Sequence, residues 1–286
     1  MGKESKMELD VRLHLGEMLV EKISNAVGEL YDPYGIKKAR KDFVGKVLDG
    51  VSKDSTLSHC DKIAIEREIS LMLKKNQNRT KIVENSVEYF KDTAKPDMID
   101  DAWVFNFWDK AGTVSDEVFQ DLWSRILAEE INEPNSISKR LLHNLSLMSA
   151  NDANNFITLA RFCFLDGKDN LAHPIIFMKE DADFYSFCGL SSYVLKELEQ
   201  FCLIETNYDT GFKFKNKKVL LYQTTILEVI APRIPAGNVR LTSDGQKLFA
   251  IVNKYQNSKI LERTIEKFEY HKCEVNRSNK IANINN

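Results

Sequence analysis

The N-terminal part of the chain carries apolar residues at helical spacing. From residue 7 to residue 30, apolar side chains recur at steps of three and four, which is the pattern of an amphipathic helix. The run Asp32-Pro33-Tyr34-Gly35 ends this helix. A basic segment follows at residues 37–46 and is interpreted as a solvated helix face. A second helical pattern runs over residues 61–94, and its soft break at residues 76–78 fits two helices or one bent helix equally well.

Residues 97–152 form the densest pattern, and all three tryptophans of the chain lie in it. Trp103, Phe107 and Ala111 share one helix face because they are four residues apart. Ser115, followed by two acidic residues, marks the start of the next helix. The buried stripe predicted for that helix consists of Phe119, Leu122, Trp123, Ile126 and Leu127. A third helix, capped by Ser136 or Ser138, completes a packed helical bundle.

The C-terminal half mixes helical and strand patterns. A helix is predicted from residue 151 to a stop at Asp166-Gly167, and another helix begins near Ser191. Residues 202–205, a polar turn at residues 207–211 and the alternating residues 212–215 predict a hairpin, and the run 219–222 predicts a strand. A further helix opens within residues 241–248, so this half combines helices with a small sheet.

These patterns predict a mainly α fold in four segments. They are an N-terminal helical segment (1–58), a helical domain with the tryptophan-rich pattern (59–150), a winged-helix-like domain (151–258), and a charged helix with a polar tail (259–286). The predicted architecture is a helical bundle followed by a winged-helix-like α+β domain with a small hairpin or sheet. The tail over residues 276–286 has almost no apolar side chains, so we expect it to be disordered.

The composition agrees with a helix-rich, water-soluble chain. The 286 residues are 43% hydrophobic and 29% charged, with a mean hydropathy of -0.35. The 12 glycines and 6 prolines are few for the turn-rich sandwiches and barrels. Forty basic and 42 acidic side chains give a net charge of -2, which excludes a global field that draws the molecule to nucleic acid or an anionic membrane.

The cysteines and the lack of long apolar runs favour a cytoplasmic location. The five cysteines are odd in number and widely spaced, so we expect free thiols rather than disulfides. The first residues lack the apolar core of a secretory leader, and no run approaches the roughly 18 apolar residues that cross a bilayer. We therefore expect a cytoplasmic protein without membrane contact.

Motifs that carry chemistry do not occur in the sequence. It has no glycine-rich phosphate loop and no nucleophile elbow, and its five histidines stand singly. The segment His59-Cys60-Asp61 is interpreted as a helix cap because adjacent residues on a helix point apart. Asp97, Asp100 and Asp101 are interpreted as helix-start acids, with a divalent-cation site as the alternative. We therefore assign no catalytic residue, no metal ligand and no cofactor.

The tryptophan-rich stretch resembles a known family. The residues that carry the resemblance are Trp103, Phe107, Val114-Ser115-Asp116-Glu117, Gln120, Leu122-Trp123, Arg125-Ile126-Leu127-Ala128, Glu130, Pro134, Ser136-Ile137-Ser138, Arg140 and Leu142. They are similar to an uncharacterised bacterial family, domain of unknown function 2806, over roughly residues 75–205. Asn135 stands where that family usually has glycine, and because asparagine tolerates a left-handed backbone, the turn can persist. The resemblance implies a fold and no established activity.

Six residues of this stretch are the candidates for a site, and we call them the signature residues. They are Asp101, Trp103, Gln120, Trp123, Arg125 and Arg140. In one hypothesis their polar members line a ligand groove. In the favoured hypothesis, a buried arginine pairs with Asp116 or Glu130 and fixes the order of the helices.

A basic cluster lies on the hairpin that resembles the wing of a winged-helix domain. Its members are Lys213, Lys215, Lys217 and Lys218. A basic wing is suited to a DNA backbone, but lysines on an exposed hairpin also prevent edge-to-edge aggregation, and we favour the second interpretation. The preceding helix contains one lysine, Lys196, and two acids, Glu197 and Glu199. This excess of negative charge opposes contact with a phosphate backbone.

The sequence therefore favours a non-enzymatic protein that acts by protein contacts, as an adaptor or a sensor. The sequence does not identify the partner. A second copy of the chain is one candidate, and it would give a homo-oligomer. A DNA-binding regulator that uses the basic hairpin is the first alternative. A metal-dependent hydrolase or nuclease that uses Asp101 is the second. A role in defence against phage is a further hypothesis that no residue carries.

Overall fold

The computed structural model describes residues 3–28, 36–252 and 257–279, and the side chains of residues 3–9 and 36–43 lie outside this description. The chain divides into two compact units, Met1–Ser146 and Leu147–Asn286. Each unit has its own buried apolar core. Within the described residues, no helix combines the length and the apolar composition that crossing a bilayer requires.

The first unit is built of helices. They are α1 (Lys3–Val27), α2 (Ile36–Lys53), α3 (His59–Ser86), α4 (Asp101–Ala111), α5 (Glu117–Asn132) and α6 (Lys139–Leu147), with short 3-10 turns at Val87–Tyr89 and Pro96–Met98. The turn at residues 32–35 that the sequence predicts lies outside the described residues, as do the side chains of the basic segment up to residue 43.

Side-chain caps define where these helices begin. Ser58 and Asp61 form a capping box at the start of α3, as the interpretation of residues 59–61 as a cap requires. Asp100 caps α4 by accepting from the Trp103 amide at 2.8 Å. Asp116, rather than the expected Ser115, caps α5. A cap of this kind contributes about 1 kcal/mol to stability.

Helix α3 is continuous through the soft break that the sequence contains at residues 76–78. The polar residues of this stretch bind the C-terminal end of α4 instead of ending α3. Asn78 donates to the Gly112 carbonyl oxygen at 2.8 Å, and the Arg79 Nε donates to the Trp108 carbonyl oxygen at 2.8 Å. These carbonyl groups would otherwise lack partners at a helix end.

An aromatic stack forms the centre of the first unit. The Trp103 and Phe107 rings stack at 5.2 Å, and the Phe107 and Trp123 rings meet at 5.4 Å between centroids. All three side chains are buried. The core continues into α1 and α3 through Leu19, Ile23, Ile82 and Val83. The predicted bundle of the tryptophan-rich stretch is therefore present.

The second unit combines helices with two small sheets. Its helices are α7 (Ala150–Ala160), α8 (Met178–Phe187), α9 (Ser192–Gln200), α10 (Ser243–Ile251) and α11 (Ser258–Tyr270). Its strands are β1 (Cys163–Asp166), β2 (Ala172–Pro174), β3 (Ile204–Thr206), β4 (Lys213–Tyr222), β5 (Thr225–Pro235), β6 (Val239–Leu241) and β7 (Glu274–Asn279).

The strands form one sheet of five strands in the order β2-β1-β4-β5-β7 and one of two strands, β3-β6. All named pairs are antiparallel. The long β4–β5 hairpin contains a bulge between Lys215 and Lys217, where Asn216 has a positive φ of 60°. Strand β1 pairs only with Leu220 and Leu221 of β4 in the described chain, so the lysine-bearing half of β4 keeps one unpaired edge.

Two segments of this unit differ from the sequence predictions. The helix after residue 151 ends at Ala160, and residues 163–166 form β1 instead of continuing it. Because β1 is covered on both faces, its apolar run shows no alternation that distinguishes a strand from a buried helix. Residues 276–279, which were assigned to a disordered tail, belong to β7, and residues 280–286 lie outside the described residues.

The coarse fold class is a helical unit followed by an α+β unit. Helices α8 and α9 precede β3, and β6, the partner strand of β3, precedes α10. The hairpin predicted around residues 207–211 is not formed in the described chain, because β3 pairs with β6 and the lysine-bearing β4 pairs with β5 in the five-stranded sheet.

Candidate functional site

The signature residues occupy three helices of the first unit. Asp101 and Trp103 lie on α4; Gln120, Trp123 and Arg125 lie on α5; Arg140 lies on α6. Asp101 and Arg140 are exposed, whereas Trp103, Gln120 and Trp123 are buried. They do not line either of the two clefts described below.

Trp103 and Glu130 hold the turn between α5 and α6. The Trp103 indole Nε1 donates to the Ile137 carbonyl oxygen at 2.8 Å. The buried Glu130 carboxylate accepts from the amides of Asn135 at 2.7 Å and Ile137 at 2.8 Å. Burial raises the pKa of Glu130, while these amides oppose that effect. Asn135 has a φ of 68°, the left-handed conformation expected for a residue at a glycine position.

Arg125 pairs with Asp121 and Tyr89 instead of Asp116 or Glu130. Its Nε lies 2.8 Å from the Asp121 carboxylate, and its Nη2 donates to the Tyr89 hydroxyl oxygen at 2.9 Å. For Arg125, the partner is therefore neither of the two acids that the sequence favoured. Asp121 lies one helical turn before Arg125, so the four-residue spacing on α5 was the signal for this pair.

Gln120 is buried, with only 3% of its surface exposed, although the sequence placed it off the apolar stripe. Its Nε2 donates to the Val114 carbonyl oxygen at 2.8 Å and approaches the Asn78 Oδ1 at 3.4 Å. It thereby joins the polar contacts that fasten α3 to the end of α4. The Gln120 Oε1 and the Trp123 Nε1 are buried without a hydrogen-bond partner among the described residues.

The acidic residues at the start of α4 form ion pairs. Lys139 lies 3.0 Å from the Asp100 carboxylate and, by its hydrogen bond, lowers the pKa of Asp100. Lys22 lies 2.5 Å from the Asp101 carboxylate. In the part of the chain that the structure describes, no group of three His, Cys, Asp or Glu side chains is arranged to hold a metal ion. These contacts support the interpretation of Asp100 and Asp101 as helix-start acids.

The four lysines of the basic cluster lie along β4, but two of them pair with acids. Lys217 pairs with Glu228 of β5, and Lys218 pairs with Asp166 of β1. Neither Lys213 nor Lys215 forms an ion pair with any described residue. Sequence reasoning missed Glu228 and Asp166 because strand pairing, rather than sequence proximity, brings these acids to the lysines.

His173 lies beside the Asp166–Lys218 pair. Its Nε2 is 3.6 Å from the Asp166 carboxylate, and its ring meets the Phe214 ring at 4.9 Å between centroids. Burial, together with the Lys218 ammonium, lowers the pKa of His173. Burial alone raises the pKa of Asp166, but the hydrogen bond from Lys218 reverses this and leaves the pKa of Asp166 below its ordinary value.

The first part of α3 carries an apolar surface that no other element of the first unit buries. Residues 44–75 contain no buried residue. Side chains at helical spacing line a shallow cleft of about 460 Å³; they are Cys60, Ile63, Ala64, Arg67, Glu68 and Leu71, and we call this surface the α3 face. The sequence showed the apolar residues of α3, but not which of them lack a neighbour.

Together the contacts define a protein of a helical unit and an α+β unit, in which Trp103, Gln120 and Arg125 each donate hydrogen bonds within the fold. The chain belongs to the family described as Protein of unknown function (DUF2806), whose model matches residues 62–264. This range includes the signature residues and the basic cluster, and the family model therefore covers parts of both units. Comparisons with curated proteins and with solved structures gave no significant match.

Proposed function

We propose that the protein acts through contacts with other proteins and that the α3 face is its docking surface. The observation that carries this proposal is the exposure of large apolar side chains on one helix. On the α3 face, Ile63 is 52% exposed and Leu71 is 45% exposed. Exposed apolar side chains that share one helix face are typical of interaction sites, whereas isolated ones are common on any surface.

The α3 face has the geometry of a helix-pairing surface. Cys60, Ala64, Arg67 and Leu71 follow one another at steps of four, three and four residues. That spacing forms a continuous stripe which a second helix can cover. Covering it removes apolar area from water, which contributes about 25 cal/mol per Å² to the free energy of pairing.

The occupant we propose is α3 of a second copy of the chain. Arg67 and Glu68 are adjacent on the α3 face, so a two-fold axis between them brings each arginine beside the other copy's glutamate. The same axis places Asp61 of one helix near Lys74 of the other. The charge pattern is thus self-complementary, which an isologous interface requires.

The contacts of the signature residues support a non-catalytic role. Trp103, Gln120 and Arg125 use their polar atoms to hold turns and helix ends together. Two of the four lysines needed by the DNA-binding alternative are paired with acids, which leaves that alternative less positive charge than the sequence suggested.

The mass of the purified full-length chain tests this proposal. Light scattering at about 100 μM is expected to give twice the chain mass of 32.9 kDa. Ile63→Glu and Leu71→Glu are expected to return the mass to that of one chain, because each buries an unpaired charge in the pair. Val118→Glu, at a 55% exposed position on α5, adds the same charge away from the α3 face and should leave the mass doubled.

A mass of one chain for the wild type at this concentration contradicts the proposal. An equal loss of association in Val118→Glu contradicts it as well, because the effect would then reflect net charge rather than the α3 face. Circular dichroism verifies that each variant retains its helices, as glutamate is a good helix former at exposed positions.

A further inference from the structure

A second cleft lies entirely within the α+β unit. Its volume is about 330 Å³, near the lower end of the range for small-molecule sites. Its walls are the loop between β3 and β4, the turn between β5 and β6, and the first turn of α8. The side chains that matter for the argument are Lys179, Tyr208, Lys213, Arg233 and Asn238.

The walls of this cleft are fixed by backbone contacts. The Gly237 carbonyl oxygen accepts from the Phe212 amide at 2.8 Å, and the Asn238 amide donates to the Ile176 carbonyl oxygen at 2.7 Å. The Asn238 side chain donates to the Asn207 carbonyl oxygen at 3.1 Å. Three separate chain segments therefore meet in one geometry, which is a condition for a preformed binding site.

Three cationic side chains from three different elements line the cleft. They are Lys179 of α8, Lys213 of β4 and Arg233 of β5, and none forms an ion pair with a described residue. Two acids also line it. Glu180 is engaged by His271 at 3.0 Å and by Lys267 at 3.7 Å, and the other acid is Asp209. The lining therefore has an excess of positive charge.

An aromatic side chain accompanies these cations. Tyr208 is half-buried at the cleft wall, and burial raises the pKa of its hydroxyl group. A neutral tyrosine ring can stack on a planar base, while convergent lysine and arginine side chains suit phosphate oxygens. This pairing of an aromatic surface with cations is the chemistry that a nucleotide requires.

We infer that this cleft binds a small phosphate-bearing ligand of mononucleotide size, with its phosphate held by Lys179, Lys213 and Arg233 and its base against Tyr208. The volume fits one nucleotide and is small for a longer strand. The inference does not depend on the α3 face, because the cleft lies in the other unit.

Calorimetric titration of the full-length protein tests the inference. The probes are AMP, GMP, CMP and UMP, with adenosine and inorganic phosphate for comparison. At least one nucleotide is expected to bind about tenfold more tightly than adenosine or inorganic phosphate, because only it engages both the cations and the ring. Arg233→Gln and Lys213→Gln are each expected to weaken that binding about tenfold.

Lys168→Gln is the matched control, because Lys168 lies in the turn between β1 and β2, near the end of β4 that is remote from Lys213, and is not among the residues that line the cleft. It should leave nucleotide affinity within about twofold of the wild type. Absence of binding by all four nucleotides overturns the inference. Equal weakening by Lys168→Gln also overturns it, because the effect would then reflect net charge rather than the cleft. So does tighter binding of a single-stranded DNA of about ten nucleotides than of any mononucleotide, because that result assigns the contact to the strand surface of β4.

Discussion

Arg125 illustrates how the polar residues of the first unit are used. Its guanidinium group contacts the Asp121 carboxylate and the Tyr89 hydroxyl oxygen, and it lies 4.2 Å from the centre of the Tyr89 ring. Tyr89 in turn donates to Asp121 at 2.5 Å. Burial and this hydrogen bond raise the pKa of Tyr89. Each polar group of the triad therefore has a partner within the fold, and helix α5 is joined to the turn at Val87–Tyr89.

Some residue-scale features could be read from the sequence because they depend on local geometry. Asn135 adopts the left-handed conformation that its position in the turn indicated, and Ser138 caps α6 by accepting from the Leu141 amide at 3.0 Å. The partner of Arg125 could not be chosen from sequence alone. Asp116, Asp121 and Glu130 are all near in sequence, and only packing decides among them.

His173 should make stability depend on pH. Its pKa in the folded protein lies below the ordinary value of 6.5, so the unfolded chain binds more protons below that pH. We expect the free energy of unfolding to decrease as the pH falls from about 6.5 to about 5. Urea unfolding at a series of pH values measures this.

His173→Gln should flatten this pH dependence, whereas His143→Gln, at an exposed position, should retain it. A dependence that is unchanged in His173→Gln would show that another group is responsible. The Asp166 carboxylate titrates at lower pH, because its folded pKa lies below 3.8, and therefore lies outside this window.

At the scale of elements, long periodic helices were predictable and short buried strands were not. The stripes of α4 and α5 followed from the spacing of Trp103, Phe107 and Trp123. Strand β1 has only four residues, and its two faces are both covered, so its sequence carries no periodic signal. Strand β7 is polar, and most of its residues are exposed. It is a strand because its backbone pairs with β5, which its composition does not indicate.

Gly237 controls how the turn between β5 and β6 approaches the start of α8. Its φ is 84°, and a Cβ at this position would lie 2.4 Å from the Ile176 carbonyl oxygen. We expect Gly237→Ala to lower the free energy of unfolding by about 2 to 4 kcal/mol, because backbone strain and overlap add. Chemical denaturation measures the change.

Gly50→Ala is the matched control, since Gly50 lies within α2 and a Cβ there meets no atom within 4 Å. It should be neutral or stabilising by up to about 1 kcal/mol. If Gly237→Ala proved as benign as Gly50→Ala, the close approach of the turn to Ile176 would be wrong.

At the scale of the whole molecule, the two units offer different surfaces. The helical unit presents the α3 face, and the α+β unit presents a cationic cleft. The sequence predicted the helices and showed where the lysines lie along the chain. Whether an apolar side chain is exposed, and which cations line one cleft, depends on the neighbours that each side chain has in three dimensions. The surfaces that carry the proposals are therefore those that local patterns could not identify.

Hydrogen exchange of the full-length protein at two concentrations tests the docking proposal most directly. Between about 1 μM and about 100 μM, amides of residues 59–75 should exchange more slowly at the higher concentration, because pairing of the α3 faces suppresses local opening. Amides of α5, which is packed inside the unit, should exchange at the same rate in both samples. Exchange in residues 59–75 that is identical at the two concentrations would contradict the account.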